Sequence, residues 1–315
     1  MRILIIKRDP TEVCAQVEKC LPGSVVEHCG SSAELASTLS AFRPDVAFVF
    51  KIGMDPTSTQ ALVNCPSLKW IHAATTGVDH LVPWDHRIRV TNSAGVHDEV
   101  LANYVLGAIL MVNTYFQTFR DQQYRREWKS CELNPTSGQK LTVVGFGRIG
   151  SRISRIAKTF GMAVTGVRTQ SGTDKDAVRI LGFSSLLEAV ADADFVTVTL
   201  PLTPSTTGMV DQSVIDAMRR GAWLINISRG GIVDEEALRA ALERDHLGGA
   251  FMDVFSTEPL PASSKNWSTK NLFITPHTGD AAGWENTVCE LFCENLRRFL
   301  NGQPLLNLVE AGRGY

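Results

Sequence analysis

The segment from residue 141 to residue 161 constrains the fold of this 315-residue chain more than any other. An apolar run, LTVV, leads into glycines at positions 145, 147 and 150, and an amphipathic helical pattern follows them. In such a unit the first glycine permits a tight turn, the second admits a pyrophosphate, and the third lets helix and strand pack closely. The segment therefore predicts a dinucleotide-binding βα unit, with a purely structural βα turn as the alternative.

The next predicted strand, AVTGV, is followed by Arg168, close to where such units commonly carry an acid that accepts from the ribose 2′-hydroxyl of NAD. A guanidinium can instead bind a 2′-phosphate with two donors, and Thr169 can add a neutral hydrogen bond. At about 4 Å the sign of this charge is worth roughly 1–4 kcal/mol. We therefore predict that NADP(H) is preferred and that NAD(H) can still bind. An ordinary surface arginine at a strand end is the alternative.

Strand-like and helix-like patterns alternate along the chain, which predicts α/β domains with parallel sheets. Four strand patterns precede the glycine motif: RILIIK, VVEH, DVAFVF and LKWIHAA. A second series runs from Leu141 to about Thr278, with the patterns LTVVG, AVTGV, DFVTVTL, AWLINI, GAFMDV and LFIT. Between the two series, one long helical pattern begins at Asp98, and its apolar first half predicts packing against a large surface.

An amphipathic helical pattern begins at Trp284 and predicts that the end of the chain returns to the first domain. We predict that residues 1–95 and 285–315 form a substrate domain and that residues 96–284 form an inserted dinucleotide-binding domain. The two crossings, near residues 93–98 and 280–286, would then form a hinge.

The composition narrows the functional classes. The chain has 31 basic and 33 acidic residues, and this balance argues against a nucleic-acid-binding protein. The apolar start is too short for a signal peptide and no stretch approaches the length of a membrane span, so we predict a cytoplasmic protein without a membrane partner. Seven scattered cysteines without paired spacing predict reduced thiols and no metal site.

Three short runs, NISRGG, DVFSTEP and TPHTGD, place Arg229, Glu258 and His277 near the ends of successive predicted strands. Open α/β sheets bind ligands at those ends. An arginine can bind a carboxylate and polarise a carbonyl, and a histidine can exchange a proton near neutral pH. A carboxylate beside the far ring nitrogen would orient the imidazole. Taken singly, a surface salt bridge, a helix cap and a loop histidine explain the three residues equally well.

Taken together, these runs resemble the D-isomer-specific 2-hydroxyacid dehydrogenase family over nearly the whole chain. The matching runs are TTGVDHL, VTNSAGV, VVGFGRIG, TLPLTPSTTGMV, LINISRGGIVDEEAL, GGAFMDVFSTEPLP and ITPHTG. The resemblance implies an α/β fold of two domains, with a Rossmann-like dinucleotide-binding domain inserted into a flavodoxin-like substrate domain. Within the family, the chain is most similar to the glyoxylate/hydroxypyruvate reductase branch.

The resemblance also implies roles for individual residues. Arg229 would bind the substrate carboxylate and carbonyl, and His277 would be the acid/base with Glu258 as its partner. The backbone around Thr76, Gly77 and Val78 would bind the substrate carboxylate, and Asp253 would lie near the nicotinamide carboxamide. The cofactor-binding residues implied by the matched runs, together with those of the glycine motif and the strand after it, are Gly145, Gly147, Arg148, Ile149, Gly150, Arg168, Thr169, Leu200, Pro201, Thr206 and Ile227.

Three further side chains are weaker candidates for the substrate pocket. Lys51 could act as a second cation that binds substrate, or it could be a solvated lysine at a strand end. Trp128 and Trp284 could line the pocket, although packing in a core or in a dimer interface explains them better.

These observations predict an NADPH-preferring reduction of a small 2-keto acid, of the glyoxylate/hydroxypyruvate type, to the D-2-hydroxy acid. An NAD-dependent D-lactate-type dehydrogenase and a non-catalytic regulator that senses dinucleotides are the alternatives. The family resemblance further implies a homodimer formed through the apolar helix after Asp98.

Overall fold

The computed structural model describes residues 1–50 and 55–310, and the chain divides into two compact units. The first unit is Met1–Val96 with Ala281–Tyr315, and the second is His97–Asp280. Both crossings lie within the stretches 93–98 and 280–286 named above, and they differ from the domain bounds predicted at 95/96 and 284/285 by one residue and by four. The second crossing comes earlier because residues 281–283 lead directly into the tail helix of the first unit, where the Trp284 N–H donates to the Ala281 carbonyl. Lys51 lies outside the described residues.

The first unit contains a five-stranded parallel sheet with the order β2-β1-β3-β4-β5. This is the strand order of flavodoxin-like folds. The strands are β1 (Arg2–Ile6), β2 (Val25–Cys29), β3 (Val46–Val49), β4 (Trp70–Ala73) and β5 (Arg89–Thr91). The helices are α1 (Thr11–Cys20), α2 (Ser32–Phe42), α3 (Pro56–Val63) and the tail helix (Trp284–Leu300).

Both faces of this sheet are buried, which explains the continuous apolar run of β1. Leu4 and Ile6 belong to one hydrophobic cluster, whereas Ile3 and Ile5 point into another on the opposite face. The tail helix covers that second face, where Phe292 stacks on Phe48 at a centroid distance of 4.3 Å. The C-terminal segment is therefore part of the first unit's core.

The second unit contains a seven-stranded parallel sheet with the order β12-β11-β10-β9-β6-β7-β8. The strands are β6 (Lys140–Val144), β7 (Ala163–Arg168), β8 (Arg179–Gly182), β9 (Phe195–Val198), β10 (Trp223–Asn226), β11 (Gly249–Met252) and β12 (Leu272–Ile274). The helices are α4 (Asp98–Asn113), α5 (Phe116–Arg125), α6 (Arg148–Thr159), α7 (Leu186–Val190), α8 (Gln212–Ala217) and α9 (Glu235–Glu243). The strand order reverses between β6 and β9, as in Rossmann-like sheets, and β12 is one strand more than the usual six. The predicted fold class is confirmed.

The long helical pattern after Asp98 was wrongly predicted as one helix. Helices α4 and α5 are bent by 55° relative to each other, and Tyr115 between them has a left-handed φ of 54°. The buried amide of Asn113, at the end of α4, donates to Thr136 and to Gln139. These distant partners fix the last turn of α4 and favour a break directly after it. Among the described residues no single helix is long and apolar enough to cross a membrane, and α4 and α5 reach that length and composition only as this bent pair.

Candidate active site

The predicted site residues of the second unit follow the carboxyl ends of its strands. Gly145 follows β6, Arg168 ends β7, Leu200 lies just after β9, Arg229 lies after β10, Asp253 follows β11, and His277 lies after β12. The carboxyl ends of parallel strands lie at one edge of the sheet, and ligands bind where the strand order reverses. The structure therefore brings these side chains to one edge, with the glycine turn beside the point of reversal.

The turn between β6 and α6 has the geometry that a dinucleotide requires. Gly145 has a φ of +107°, and a Cβ there would lie 2.7 Å from the Thr199 carbonyl carbon. A Cβ at Gly150 would lie 2.5 Å from the Gly145 oxygen, so this glycine lets helix and strand approach. A Cβ at Gly147 would meet nothing within 4 Å, which leaves open space at the N-terminus of α6. The turn therefore fits a pyrophosphate held by helix N–H groups.

Arg168 is half-buried at the end of β7 and is oriented by the main chain. Its Nε donates to the Gln170 carbonyl at 3.1 Å, and Nη2 lies 3.3 Å from the position a Cβ would take on Gly172. Within residues 1–50 and 55–310, no carboxylate forms an ion pair with this guanidinium. A fixed guanidinium without a counter-charge can bind an anion.

The other predicted cofactor residues differ in exposure. Leu200 and Ile227 are buried, whereas Arg148 and Ile149 open α6 and Thr169 is exposed. The hydroxyl of Thr206 donates to the Pro201 carbonyl at 2.6 Å and accepts from the Thr203 N–H at 2.8 Å. The Thr206 hydroxyl therefore stabilises the loop of residues 201–206, and both of these hydrogen bonds are made within that loop.

The turn that carries Arg229 is held by Asn226, a fully buried residue that the sequence analysis did not single out. Its Oδ1 accepts from the Ser228 N–H at 3.1 Å and from the Ser228 hydroxyl at 2.7 Å. Its Nδ2 donates to the Arg229 carbonyl at 3.1 Å, and Arg229 Nη1 donates to the Ser228 carbonyl at 2.9 Å. A polar residue within the apolar pattern AWLINI was the available signal, because a buried amide needs partners.

His277 and Glu258 form a hydrogen-bonded pair. The distance from Nδ1 to Oε2 is 2.7 Å, and the two side chains are 35% and 28% exposed, so a ligand can reach them. The other carboxylate oxygen of Glu258 accepts from the Phe255 N–H at 3.0 Å. Because an ionised carboxylate only accepts, Nδ1 must carry the proton of this bond. Nε2 is then the ring atom that can exchange a proton with a substrate.

Asp253 fixes the backbone around His277. This carboxylate is 2% exposed, and its Oδ1 accepts from the Thr275 hydroxyl at 2.6 Å and from the Thr278 N–H at 2.9 Å. Its main-chain oxygen accepts from the His277 N–H at 2.8 Å. The single proton of Thr275 goes to Asp253, so Tyr104 donates to the Thr275 oxygen at 2.7 Å. Burial raises the pKa of Tyr104, which keeps its hydroxyl protonated.

In the first unit, the loop after β4 carries the residues predicted to bind a carboxylate. The Thr75 hydroxyl donates to the Gly77 carbonyl at 2.8 Å, and the Asn92 amide donates to the Thr76 carbonyl at 2.7 Å. In the described part of the chain, the main-chain N–H groups of Gly77 and Val78 have no acceptor. This loop therefore offers two N–H donors that a carboxylate can accept.

The two tryptophans considered for the substrate pocket differ in their exposure. The Trp284 ring lies 5.9 Å from that of Phe50 and packs against the core of the first unit, whereas Trp128 is fully exposed. All seven cysteines are free thiols, and Cys289 and Cys293 are buried on the tail helix. Over the described ranges, no three His, Cys, Asp or Glu side chains form a group that could hold a metal ion.

Comparison with known proteins gives consistent matches. A family model described as the NAD binding domain of D-isomer specific 2-hydroxyacid dehydrogenase matches residues 106–279. A glyoxylate reductase of Korarchaeum cryptofilum is 31% identical over 270 residues, which cover 81% of this chain and 80% of that protein. A hydroxyphenylpyruvate reductase of Plectranthus scutellarioides is also 31% identical, over 78% of this chain and 79% of its own. A D-isomer specific 2-hydroxyacid dehydrogenase of Xanthobacter autotrophicus, solved with NADPH and MES, is 28% identical with a TM-score of 0.85 over 99% of both chains.

Proposed function

Because the chain belongs to the D-isomer specific 2-hydroxyacid dehydrogenase family, an NAD(P)-dependent oxidoreductase family, we propose that it reduces a glyoxylate- or hydroxypyruvate-type 2-keto acid with NADPH. The product is the D-2-hydroxy acid. The observation that carries the proposal is the 2.7 Å bond between His277 and Glu258 at the same sheet edge as Arg229. An oriented acid–base pair at the same sheet edge as an arginine is what carbonyl reduction requires, and a protein that only senses dinucleotides has no use for it.

Substrate binding rests on fixed positive charge and on main-chain donors. Arg229 binds the substrate carboxylate and polarises the carbonyl at C2. The unused N–H groups of Gly77 and Val78 support their predicted role as carboxylate donors. Lys51 keeps its predicted role as a second substrate-binding cation.

The glycine turn and Arg168 would hold the reduced cofactor, which would supply a hydride to the carbonyl carbon. As the hydride forms a C–H bond at C2, the C=O π bond breaks and its electron pair moves to the oxygen. His277 donates its Nε2 proton to this oxygen, which leaves a C–O single bond and an O–H. Glu258 holds the proton on Nδ1 throughout and stabilises the imidazolium before it gives up the Nε2 proton. Asp253 keeps the backbone of His277 in place, and its predicted contact with the nicotinamide carboxamide belongs to the same proposal.

The cofactor preference follows from the charge at the end of β7. Arg168 has no carboxylate partner among the described residues and lies where an acid would bind the 2′-hydroxyl of NAD. The Xanthobacter relative was solved with NADPH, which supports the same choice here. The other predicted cofactor-binding residues, from Gly145 to Ile227, complete this proposal.

A second candidate substrate class has one observation in its favour. The hydroxyphenylpyruvate reductase of Plectranthus scutellarioides is as similar to this chain as the glyoxylate reductase is. A 2-keto acid with an aromatic side chain uses the same carboxylate, carbonyl and proton donor. The two classes differ only in how the pocket receives the side chain.

Initial rates test the function. Glyoxylate, hydroxypyruvate, pyruvate and 4-hydroxyphenylpyruvate are each assayed with NADPH and with NADH. We expect the highest kcat/KM for glyoxylate or hydroxypyruvate with NADPH. Preference for 4-hydroxyphenylpyruvate selects the second candidate, and preference for pyruvate with NADH selects a D-lactate-type dehydrogenase. Tight NADPH binding without turnover of any 2-keto acid contradicts the proposal and favours a regulator.

A further inference from the structure

We propose that Glu235, on the first turn of α9, is a positioning residue for the pair formed by Glu258 and His277. The inference rests on the proposed function, because it explains what holds the acid–base pair in place. In the described part of the chain, Glu235 forms no hydrogen bond or ion pair with the side chains of that pair, and it acts through the turn of residues 255–258.

Two glutamates hold two successive main-chain N–H groups of this turn. The Phe255 N–H donates to Glu258 Oε1 at 3.0 Å, and the Ser256 N–H donates to Glu235 Oε1 at 2.7 Å. The first bond closes the turn on itself, so it cannot fix the turn relative to the sheet. The second bond comes from a helix 21 residues earlier in the chain and supplies that external anchor.

The carboxylate of Glu235 is itself oriented at both oxygens. Its Oε2 accepts from Nδ2 of Asn266 at 2.8 Å, and Asn266 is only 5% exposed. Across the described ranges, no lysine, arginine or histidine forms an ion pair with Glu235. Its charge is stabilised by these donors and by the N-terminus of α9, which favours an acid in the first turn. The carboxylate is therefore held by a hydrogen bond at each oxygen, and the bond from Oε1 to the Ser256 N–H is the one that anchors the turn.

The peptide group between Phe255 and Ser256 also packs against the turn that carries Arg229. A Cβ on Gly230 would lie 1.9 Å from the Phe255 carbonyl carbon and 2.2 Å from the Ser256 nitrogen. The two turns are therefore in direct main-chain contact, with no room for even one methyl group. By fixing the peptide between Phe255 and Ser256, Glu235 keeps Glu258 in register with Arg229.

A variant series tests this role. Glu235→Ala removes both acceptors, whereas Glu235→Gln keeps one oxygen for the Ser256 N–H. Glu236→Ala is the matched control, because Glu236 is the next residue on the same turn and its carboxylate bonds to Arg239 on its own helix. We expect kcat with the best 2-keto acid to fall roughly 10- to 100-fold in Glu235→Ala, as for a misplaced reacting group. The Kd for NADPH should stay within about twofold, Glu235→Gln should recover most of the rate, and Glu236→Ala should match the wild type.

A second readout does not depend on turnover. Long-range 1H–15N spectra of histidine-labelled protein, recorded at alkaline pH, report which ring nitrogen of His277 carries the proton, with the signal assigned by its loss in His277→Asn. We expect the Nδ1-protonated tautomer in the wild type and in Glu236→Ala, and a mixture of tautomers in Glu235→Ala. Glu235→Ala protein that keeps both kcat and this tautomer overturns the inference. If the wild type reduces no 2-keto acid, the proposed function fails, and the tautomer still decides the role of Glu235.

Discussion

Arg168 is the residue whose charge most directly sets the choice of cofactor. Its Nε is tied to the Gln170 carbonyl, and the described chain offers its guanidinium no carboxylate. A 2′-phosphate would meet an already oriented cation, so less side-chain entropy is lost on binding. An aspartate at this position would repel the phosphate and accept from a 2′-hydroxyl.

We therefore expect Arg168→Asp to lower the ratio of kcat/KM for NADPH to that for NADH by about tenfold or more, in line with roughly 1–4 kcal/mol for the charge. Steady-state rates with one saturating 2-keto acid measure this ratio. Arg152→Ala is the control, because that arginine pairs with Glu99 on the neighbouring helix. An unchanged ratio in Arg168→Asp would show that residue 168 does not determine the preference for a 2′-phosphate over a 2′-hydroxyl.

At the scale of elements, the first unit's sheet contains a buried histidine on strand β4, opposite Thr91 of strand β5. His72 has no exposed surface, and its Nδ1 lies 2.7 Å from the Thr91 hydroxyl oxygen. The rings of Phe48, Trp70 and Phe292 surround it. This burial lowers the pKa of His72 from 6.5 to about 3. The folded sheet therefore holds a neutral imidazole.

This histidine should make the first unit acid-sensitive. Below pH 6.5, His72 is protonated in the unfolded chain, whereas in the folded protein it stays neutral down to about pH 3. The stabilisation present above pH 6.5 is therefore lost as the pH falls through this window. We expect the free energy of unfolding to decrease with a steeper slope in the wild type than in His72→Gln, measured by urea titration at pH 7, 6 and 5. Burial also lowers the pKa of His97, and this contributes to the pH dependence of the free energy of unfolding in both proteins. Equal slopes in the two proteins would contradict the assignment.

The sequence predicted most strands because their burial on both faces leaves continuous apolar runs, as in RILII and GAFM. It did not predict β5 and β8, which are edge strands of three and four residues that each begin with an arginine. The break between α4 and α5 was also missed, because it depends on the long-range bonds of Asn113. The local spacing of apolar residues gives no information about such long-range hydrogen bonds.

At the scale of the whole molecule, the homodimer through the helical pattern after Asp98 remains a prediction. The buried face of α4 packs against α6 in the core of its own unit. Large apolar side chains are instead exposed from α5 onward, at Phe116, Tyr124, Trp128 and Leu133. Exposed aromatic residues of this kind are typical of protein interfaces.

We expect Trp128→Glu to shift the protein from dimer to monomer in size-exclusion chromatography with light scattering, because a buried charge at an interface is costly. Val178→Glu, at another strongly exposed apolar position, should leave the mass unchanged. A wild-type protein that is monomeric at all concentrations would contradict the dimer. A dimer that survives Trp128→Glu would place the interface elsewhere.

The candidate site illustrates what sequence reasoning can and cannot reach. Arg229, Glu258 and His277 were predicted because they lie in short runs at strand ends that match a family pattern. Glu235 was not predicted, because its bond to the Ser256 N–H joins residues 21 positions apart in the chain. Asn226 was missed although its partners are local, because a single polar residue in an apolar strand was the only signal. Residue type and spacing indicate the reacting groups, whereas the groups that hold them emerge from tertiary contacts.

The most direct test of the account is the kcat/KM of His277→Ala with NADPH and the best 2-keto acid, compared with the wild type. If His277 donates the proton to the developing alkoxide, kcat/KM should fall by about 10²- to 10⁴-fold, while NADPH binds to the glycine turn as in the wild type. Full turnover in this variant would contradict the account.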